Sequence, residues 1–358
     1  MRCQSVWWTL DSHWRSGRSM AISYSQTLSV SMLSSPRRSR PAVYRTSSAW
    51  LVLLILTAGS AAPADDAPPA GWKLVWSDEF DGPAVDRTKW DFQLGNGFYN
   101  YDANQWISGW GNNELQYYTD EPTNAFVKDG QLHIRALKES LHGFGYTSAR
   151  MRTKARDGKT LFAQKYGRFE FRAKLPTGKG VWPALWMLPD EEKYGGWASS
   201  GEIDILEARG HEPSKILGTI HFGSRWPHNA HSGGEFVFPN GGTIAEVHDY
   251  AVEWEPGEIR WLVDGRVYST KNFWWSASGV ENKQGALPKS DKDLNAWPAP
   301  FDQPFHLVMN VAVGGQFGGN PDKTTVFPVE MVVDHVRVYK LAEGEPKLKP
   351  RGEGKLPF

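Results

Sequence analysis

The chain has 358 residues, enough for one large sandwich or two ordinary domains and too few for a long multidomain array. Apolar residues at 40% and charged residues at 22% describe a soluble globular protein rather than a membrane-embedded or disordered one. The formal net charge is zero, but seven Arg and a single acid, Asp11, fall within the first 62 residues. The remainder carries 33 basic against 39 acidic groups, which argues against nucleic acid as a partner.

In chain order, Arg37, Arg38, Arg40 and Arg45 precede an apolar run from Ala49 to Ala58 and the small residues Gly59-Ser-Ala-Ala62. This is the layout of a secretory signal, with residues 1–64 as a basic leader and Met20 and Met32 as alternative starts to Met1. A signal anchor is the rival, although about ten apolar residues fall short of the roughly 20 needed to span a bilayer. The only cysteine, Cys3, lies in the leader, so no disulfide and no lipid-anchoring cysteine is expected in the exported chain. The expected place is secreted or periplasmic, with no membrane attachment after signal cleavage.

Residues 65–70 read as a linker, 71–342 as one domain, and 343–358 as a polar tail rich in Pro and Gly. Within the domain, strands are predicted at 73–76, 131–137, 167–174, 182–188, 202–208, 217–222, 250–254, 259–263, 305–313 and 332–339. Several alternate apolar with polar residues, as in Arg168-Phe-Glu-Phe-Arg-Ala-Lys174, the period of a half-buried antiparallel strand. Val263-Asp-Gly-Arg266 adds a tight hairpin signal. No helical stretch and no βαβ rhythm is found, so the expectation is all-β: two packed antiparallel sheets, a sandwich or jelly roll.

The stretch Gly201-Glu-Ile-Asp-Ile-Leu-Glu-Ala208 places three carboxylates in six residues of an otherwise apolar strand. In a regular strand Glu202 and Asp204 share a face and Glu207 points away. One extra residue, a β-bulge at about Ile205 and Leu206, returns Glu207 to that face, and bulges are common beside active sites. A solvated edge strand is the alternative, but Ile203, Ile205 and Leu206 indicate a strand buried on its other side. Paired carboxyls suit glycoside hydrolysis, where one is an anion and the other a protonated acid, and Asp204 between them can share a proton. A metal site is the competing use, although Mg²⁺ and Ca²⁺ ligands usually come from loops that wrap the ion.

Together with Gly178-Lys-Gly-Val-Trp-Pro-Ala-Leu-Trp-Met-Leu188, Gly218-Thr-Ile-His-Phe-Gly223 and Gly111-Asn-Asn-Glu-Leu-Gln-Tyr-Tyr-Thr119, this stretch resembles glycoside hydrolase family 16, and within it the bacterial laminarinases. The resemblance runs from about Trp72 to Tyr339, through Tyr166–Lys174 and Phe301–Phe305. It implies a β-jelly roll with a concave substrate groove and retaining endo-hydrolysis of β-1,3-glucan, with Glu202 as nucleophile, Glu207 as acid and base, and Asp204 as helper. The extra residue before Glu207 is similar to the laminarinase pattern rather than the shorter lichenase one. One position departs: Trp197 is followed by Ala-Ser-Ser where many relatives have Pro.

Trp182 and Trp186 lie four apart on one strand, so they share a face, and Trp197 approaches the acidic strand through Gly201; indole faces stack on the C–H face of a pyranose. The resemblance further implies sugar contacts from His221, Asn113, Arg150 and Gln316. It also implies no cofactor for catalysis and a structural calcium ion at Glu79, Gly130 and Asp334. The expected partner is a β-glucan acted on by a monomer. Alternatives are a relative acting on agarose or lichenan, a transglycosylase, and a non-catalytic β-glucan-binding protein.

Overall fold

The computed structural model describes residues 67–101, 103–278 and 287–358. The leader and the first part of the linker lie outside the described residues. In chain order the strands are β1 (Trp72–Asp78), β2 (Asp91–Phe92), β3 (Gly97–Asn100), β4 (Gln105–Ser108), β5 (Gln116–Tyr118), β6 (Ala125–Lys128) and β7 (Gln131–Ala136). They continue as β8 (Tyr146–Ser148), β9 (Arg150–Arg152), β10 (Gly167–Lys174), β11 (Val181–Pro189), β12 (Glu202–Glu207) and β13 (Lys215–Gly223). The last are β14 (Asn229–Val237), β15 (His248–Glu255), β16 (Glu258–Val263), β17 (Arg266–Lys271), β18 (Phe305–Val313) and β19 (Val329–Leu341).

One sheet runs β17-β16-β15-β10-β19-β7-β6, with β1 also paired to β19; the other runs β14-β13-β12-β11-β18-β9-β2. Both are antiparallel, and their inward side chains form one core. Phe169 and Phe171 on β10, Trp254 on β15 and Trp261 on β16 come from the first sheet; Leu185, Met187, Ile203, Leu307 and Met309 come from the second. Each such side chain contributes about 1.5–3 kcal/mol on burial. Among the described residues the single α-helix, Gly315–Gly318, is one turn long, and no helix is long and apolar enough to cross a membrane.

All ten predicted strands are present. Asp264 and Gly265 make the β16–β17 turn with φ of 49° and 74°, the left-handed pair that a two-residue hairpin requires. What escaped prediction is polar or short. Strand β14, Asn-Ala-His-Ser-Gly-Gly-Glu-Phe-Val, has no apolar alternation because it forms a sheet edge, and at Gly233 a Cβ would meet the Gly218 carbonyl at 2.2 Å. The polar C-terminal stretch lies along the domain. Lys349 Nζ reaches Glu258 at 2.7 Å, Trp297 Nε1 donates to the Lys349 carbonyl, and Leu356 packs on the core. Its charges and backbone groups find partners that composition alone does not reveal.

Candidate active site

Strand β12 sits between β11 and β13, so its side chains must divide between the core and the outer face. Toward β11, Leu206 pairs with Leu185 and Asp204 with Trp186; toward β13, Glu207 pairs with Leu217 and Asp204 with Thr219. Ile205 is therefore the extra residue. Ile203, Ile205 and Leu206 are all buried in the core, and Glu202, Asp204 and Glu207 emerge together on the outer face.

Such a bulge disrupts the ladder and leaves backbone groups to be satisfied elsewhere. The Trp261 indole Nε1 donates to the Asp204 carbonyl at 2.8 Å from the core side. Gly218 makes room for that indole, since a Cβ there would lie 2.2 Å from Trp261 Cδ1. The glycine opening the Gly-Thr-Ile-His-Phe-Gly stretch thus serves the acidic strand one position across the sheet.

Each glutamate accepts a hydrogen bond from an indole: Trp197 Nε1 to Glu202 Oε2 at 2.9 Å, and Trp182 Nε1 to Glu207 Oε1 at 3.1 Å. His221, directly across from Glu202 on β13, places Nε2 at 3.3 Å from Asp204 Oδ2 and 3.8 Å from Glu202 Oε1. Burial raises all three carboxyl pKa values. Glu207 is pushed up to about 8 by burial and by the charge of Asp204, while Asp204 rises through burial and the neighbouring Glu202. Glu202 also rises through burial, but His221, the Trp197 N–H and Arg150 pull it back toward the anion. Burial opposes protonation of His221, yet Asp204 and the two glutamates outweigh it and raise the imidazole to about 9. The site therefore holds a cation facing carboxyls of unequal acidity, the arrangement that acid–base chemistry needs.

A family model, glycosyl hydrolases family 16, matches residues 122–278. Glucan endo-1,3-beta-glucosidase A1 of Niallia circulans is 46% identical over 78% of this chain, and a beta-glucanase of Rhodothermus marinus is 43% identical over 78% of this chain and 88% of its own length. The chain belongs to glycosyl hydrolase family 16. It spans only 39% of the Niallia protein. The X-ray structure of the laminarinase from Rhodothermus marinus superposes with a TM-score of 0.60 at 43% identity, covering 76% of this chain and 98% of that one. The sandwich of this family 16 glycosidase is accordingly a β-jelly roll.

The residues expected to touch sugar gather on the same outer face of the hydrolase. Trp182 and Trp186 flank the acids on β11, and Trp197, followed by a cis peptide to Ala198, stands over His221 with ring centroids 5.5 Å apart. Gln316 on the one-turn helix and Asn113 in the turn before β5 are exposed and adjoin through the Gln316 N–H to the Asn112 carbonyl at 2.9 Å, and Phe317 packs on Trp182. Arg150 is different: it is buried, with its guanidinium over Trp110 at 4.3 Å and Trp186 at 4.6 Å and its Nε donating to Gln93.

Sequence reasoning missed the support beneath Trp186. Its Nε1 donates to Asn310 Oδ1 at 2.8 Å, Asn310 Nδ2 to the Tyr118 hydroxyl, and Gln116 Nε2 to the buried Glu114 at 2.7 Å. The available signal was Asn310 itself, a lone amide in the apolar run Phe305–Val313.

At the positions expected to hold calcium, cations already occupy the carboxylates. Arg337 grips Glu79 through Nε and Nη2 at 3.0 and 2.8 Å and holds it below its ordinary range despite burial. Asp334 lies 3.7 Å from Arg172 Nε and 3.3 Å from His335 Nδ1, and accepts from Gln131 beside Gly130. A hard cation taking its oxygens from these carboxylates would compete with guanidinium groups, while Gly130 can offer only its backbone carbonyl. Among the described residues, the cluster with metal-ligand spacing is Glu202, Asp204 and His221, whose ligand atoms lie within 4.8 Å of one another.

Proposed function

We propose that this glycosidase hydrolyses internal β-1,3-glucosidic bonds of laminarin-type glucans with retention of configuration. The observation that carries the reading is the Ile205 bulge, which brings Glu202, Asp204 and Glu207 onto one face with an indole N–H on each glutamate. Glu207, kept protonated at neutral pH, donates its proton to the glycosidic oxygen as the bond to the anomeric carbon breaks. Glu202, the carboxylate most favoured by cationic neighbours, attacks that carbon and forms a glycosyl ester. Glu207, now an anion, takes a proton from the water that displaces the sugar from Glu202, and the starting state returns. Asp204 shares a proton within the cluster and His221 stabilises its negative charge.

The linkage is supported by the extra strand residue before Glu207 and by the names of the relatives above. Export is supported by the basic leader. Calcium has weaker support, given the arginines on Glu79 and Asp334. Residues 65–358 assayed on laminarin, lichenan and agarose test the reading, alongside Glu202→Gln and Glu207→Gln. Laminarin fragments with β-anomeric reducing ends are expected from the parent and a loss of at least about 10³-fold in each variant. Cleavage surviving in both variants ends the mechanism, and activity confined to agarose ends the substrate assignment.

A further inference from the structure

Among the described residues seven aromatic side chains are substantially exposed, and four of them, Phe98, Tyr99, Tyr101 and Trp106, lie in the β3–β4 hairpin. Trp106 is 53% and Tyr101 86% exposed. Tyr99, Tyr101 and Trp106 form an exposed apolar surface, which is unfavourable in water and marks a place of contact, whereas Phe98 turns to the other face of its strand, toward Trp110. Tyr99 lies directly opposite Trp106, so the two share one face of the ribbon, and the Tyr101 ring meets Tyr99 edge-on at 5.0 Å. In the sequence the hairpin holds no Lys or Arg and a single acid, Asp102. Such a surface suits a neutral ligand with flat apolar faces, as a glucan has, and not a sulfated or otherwise anionic polymer.

The hairpin is joined to the acids by a stack of rings. Phe98 lies 6.3 Å from Trp110, Trp110 faces the Arg150 guanidinium, and Arg150 lies over Trp186, which is opposite Asp204. Trp110 is 7% exposed, and its indole Nε1 has no hydrogen-bond partner among the described residues. It is a buried donor in the ring stack that runs between hairpin and site. From β12 to β9, which carries Arg150, is three sheet spacings, roughly 14 Å, and Phe98 of the hairpin reaches Arg150 through Trp110.

We infer that the β3–β4 hairpin is a remote subsite for the same β-glucan chain, with Tyr99 and Trp106 as its stacking platform. It rests on the glucanase reading above and adds that long chains are favoured over short ones. A short oligosaccharide placed across the acids ends before the hairpin, whereas a polymer engages both.

The test compares kcat/KM on polymeric laminarin with kcat/KM on laminaritetraose for the parent, Trp106→Ala, Tyr99→Ala with Trp106→Ala, and Trp106→Phe. Loss of two stacking rings is expected to lower the polymer-to-tetraose ratio by about 5- to 50-fold. Trp106→Phe keeps a ring on the ribbon and is expected to retain most of the ratio, which a merely destabilised hairpin would not. A ratio equal to the parent's in the double variant, or an equal loss on both substrates, overturns the subsite while leaving the glucanase reading in place. A parent inactive on laminarin overturns both.

Discussion

The two sheets hold carboxylates of the same kind in opposite electrostatic states. On the first, Glu170 is gripped by Arg168 at 2.5 Å, Glu253 by Arg168 and Arg260 at 2.9 and 3.0 Å, and Glu255 by Arg260 at 2.6 Å. Burial alone would raise Glu170, yet His335 and Arg168 pull it down to about 2. On the second, Glu202, Asp204 and Glu207 have indole N–H groups and one histidine in place of a matched set of arginines, and all three are raised. Acid content is therefore no guide to role. A matched guanidinium converts a carboxylate into a structural fixture, whereas a shortage of countercharge keeps its proton available for chemistry.

The sharpest way to break this contrast is to neutralise one acid in each sheet. Glu207→Gln is expected to lose at least about 10³-fold in kcat/KM, while Glu170→Gln keeps its turnover and loses about 1.5–3 kcal/mol of stability, because Arg168 gives up one charged partner and keeps Glu253. Stability should move the other way in the active site. Because Glu207 has a folded pKa above its unfolded one, the unfolded chain ionises first and folding is penalised as pH rises from the ordinary carboxylate range toward about 8. Glu207→Gln removes that penalty, so its melting temperature at pH 7 should exceed the parent's by roughly 2–4 °C. Glu170 is depressed, so its contribution is complete above the ordinary carboxylate range and fades as pH falls toward about 2. A Glu207→Gln variant that melts below the parent would contradict the contrast.

Next in size is Gly218→Ala. The new methyl group must displace Trp261 from the Asp204 carbonyl, and a loss of about 2–3 kcal/mol together with at least tenfold in kcat is expected, measured by denaturant melts and laminarin kinetics. His221→Asn sharpens the electrostatic side. With the cation gone Glu202 rises further, so the acidic limb of the kcat/KM profile should move to higher pH; an unmoved limb would show that His221 does not act on Glu202. The smallest effect is expected on the first sheet: since arginines hold Glu79 and Asp334, chelation should shift the melting temperature by less than about 2 °C.

All ten foreseen strands are present, and where apolar and polar residues alternate, as in 167–174, that pattern reports which side of a strand meets the core and is written locally. The Glu202–Glu207 stretch was legible for the same reason: three acids in an apolar strand conflict with burial unless a bulge turns them outward. Strand β14 was not legible because its polar edge sequence lacks apolar alternation, and the packed C-terminal stretch because its partners are backbone groups of distant segments. Arg150 marks the limit in the site. The family resemblance implied a sugar contact, but only folding placed it between Trp110 and Trp186.

By itself the amino-acid order determined the all-β class, the strand that carries the acids and the bulge that turns Glu207 toward Glu202, because each depends on a period-two pattern within a few residues. The tertiary structure alone decided which carboxylates meet an arginine and which meet an indole, and hence which stay ionised and which hold a proton. Those partners lie up to 258 residues away, as Glu79 and Arg337 do, and a pKa depends on proximity in space, which no local pattern encodes.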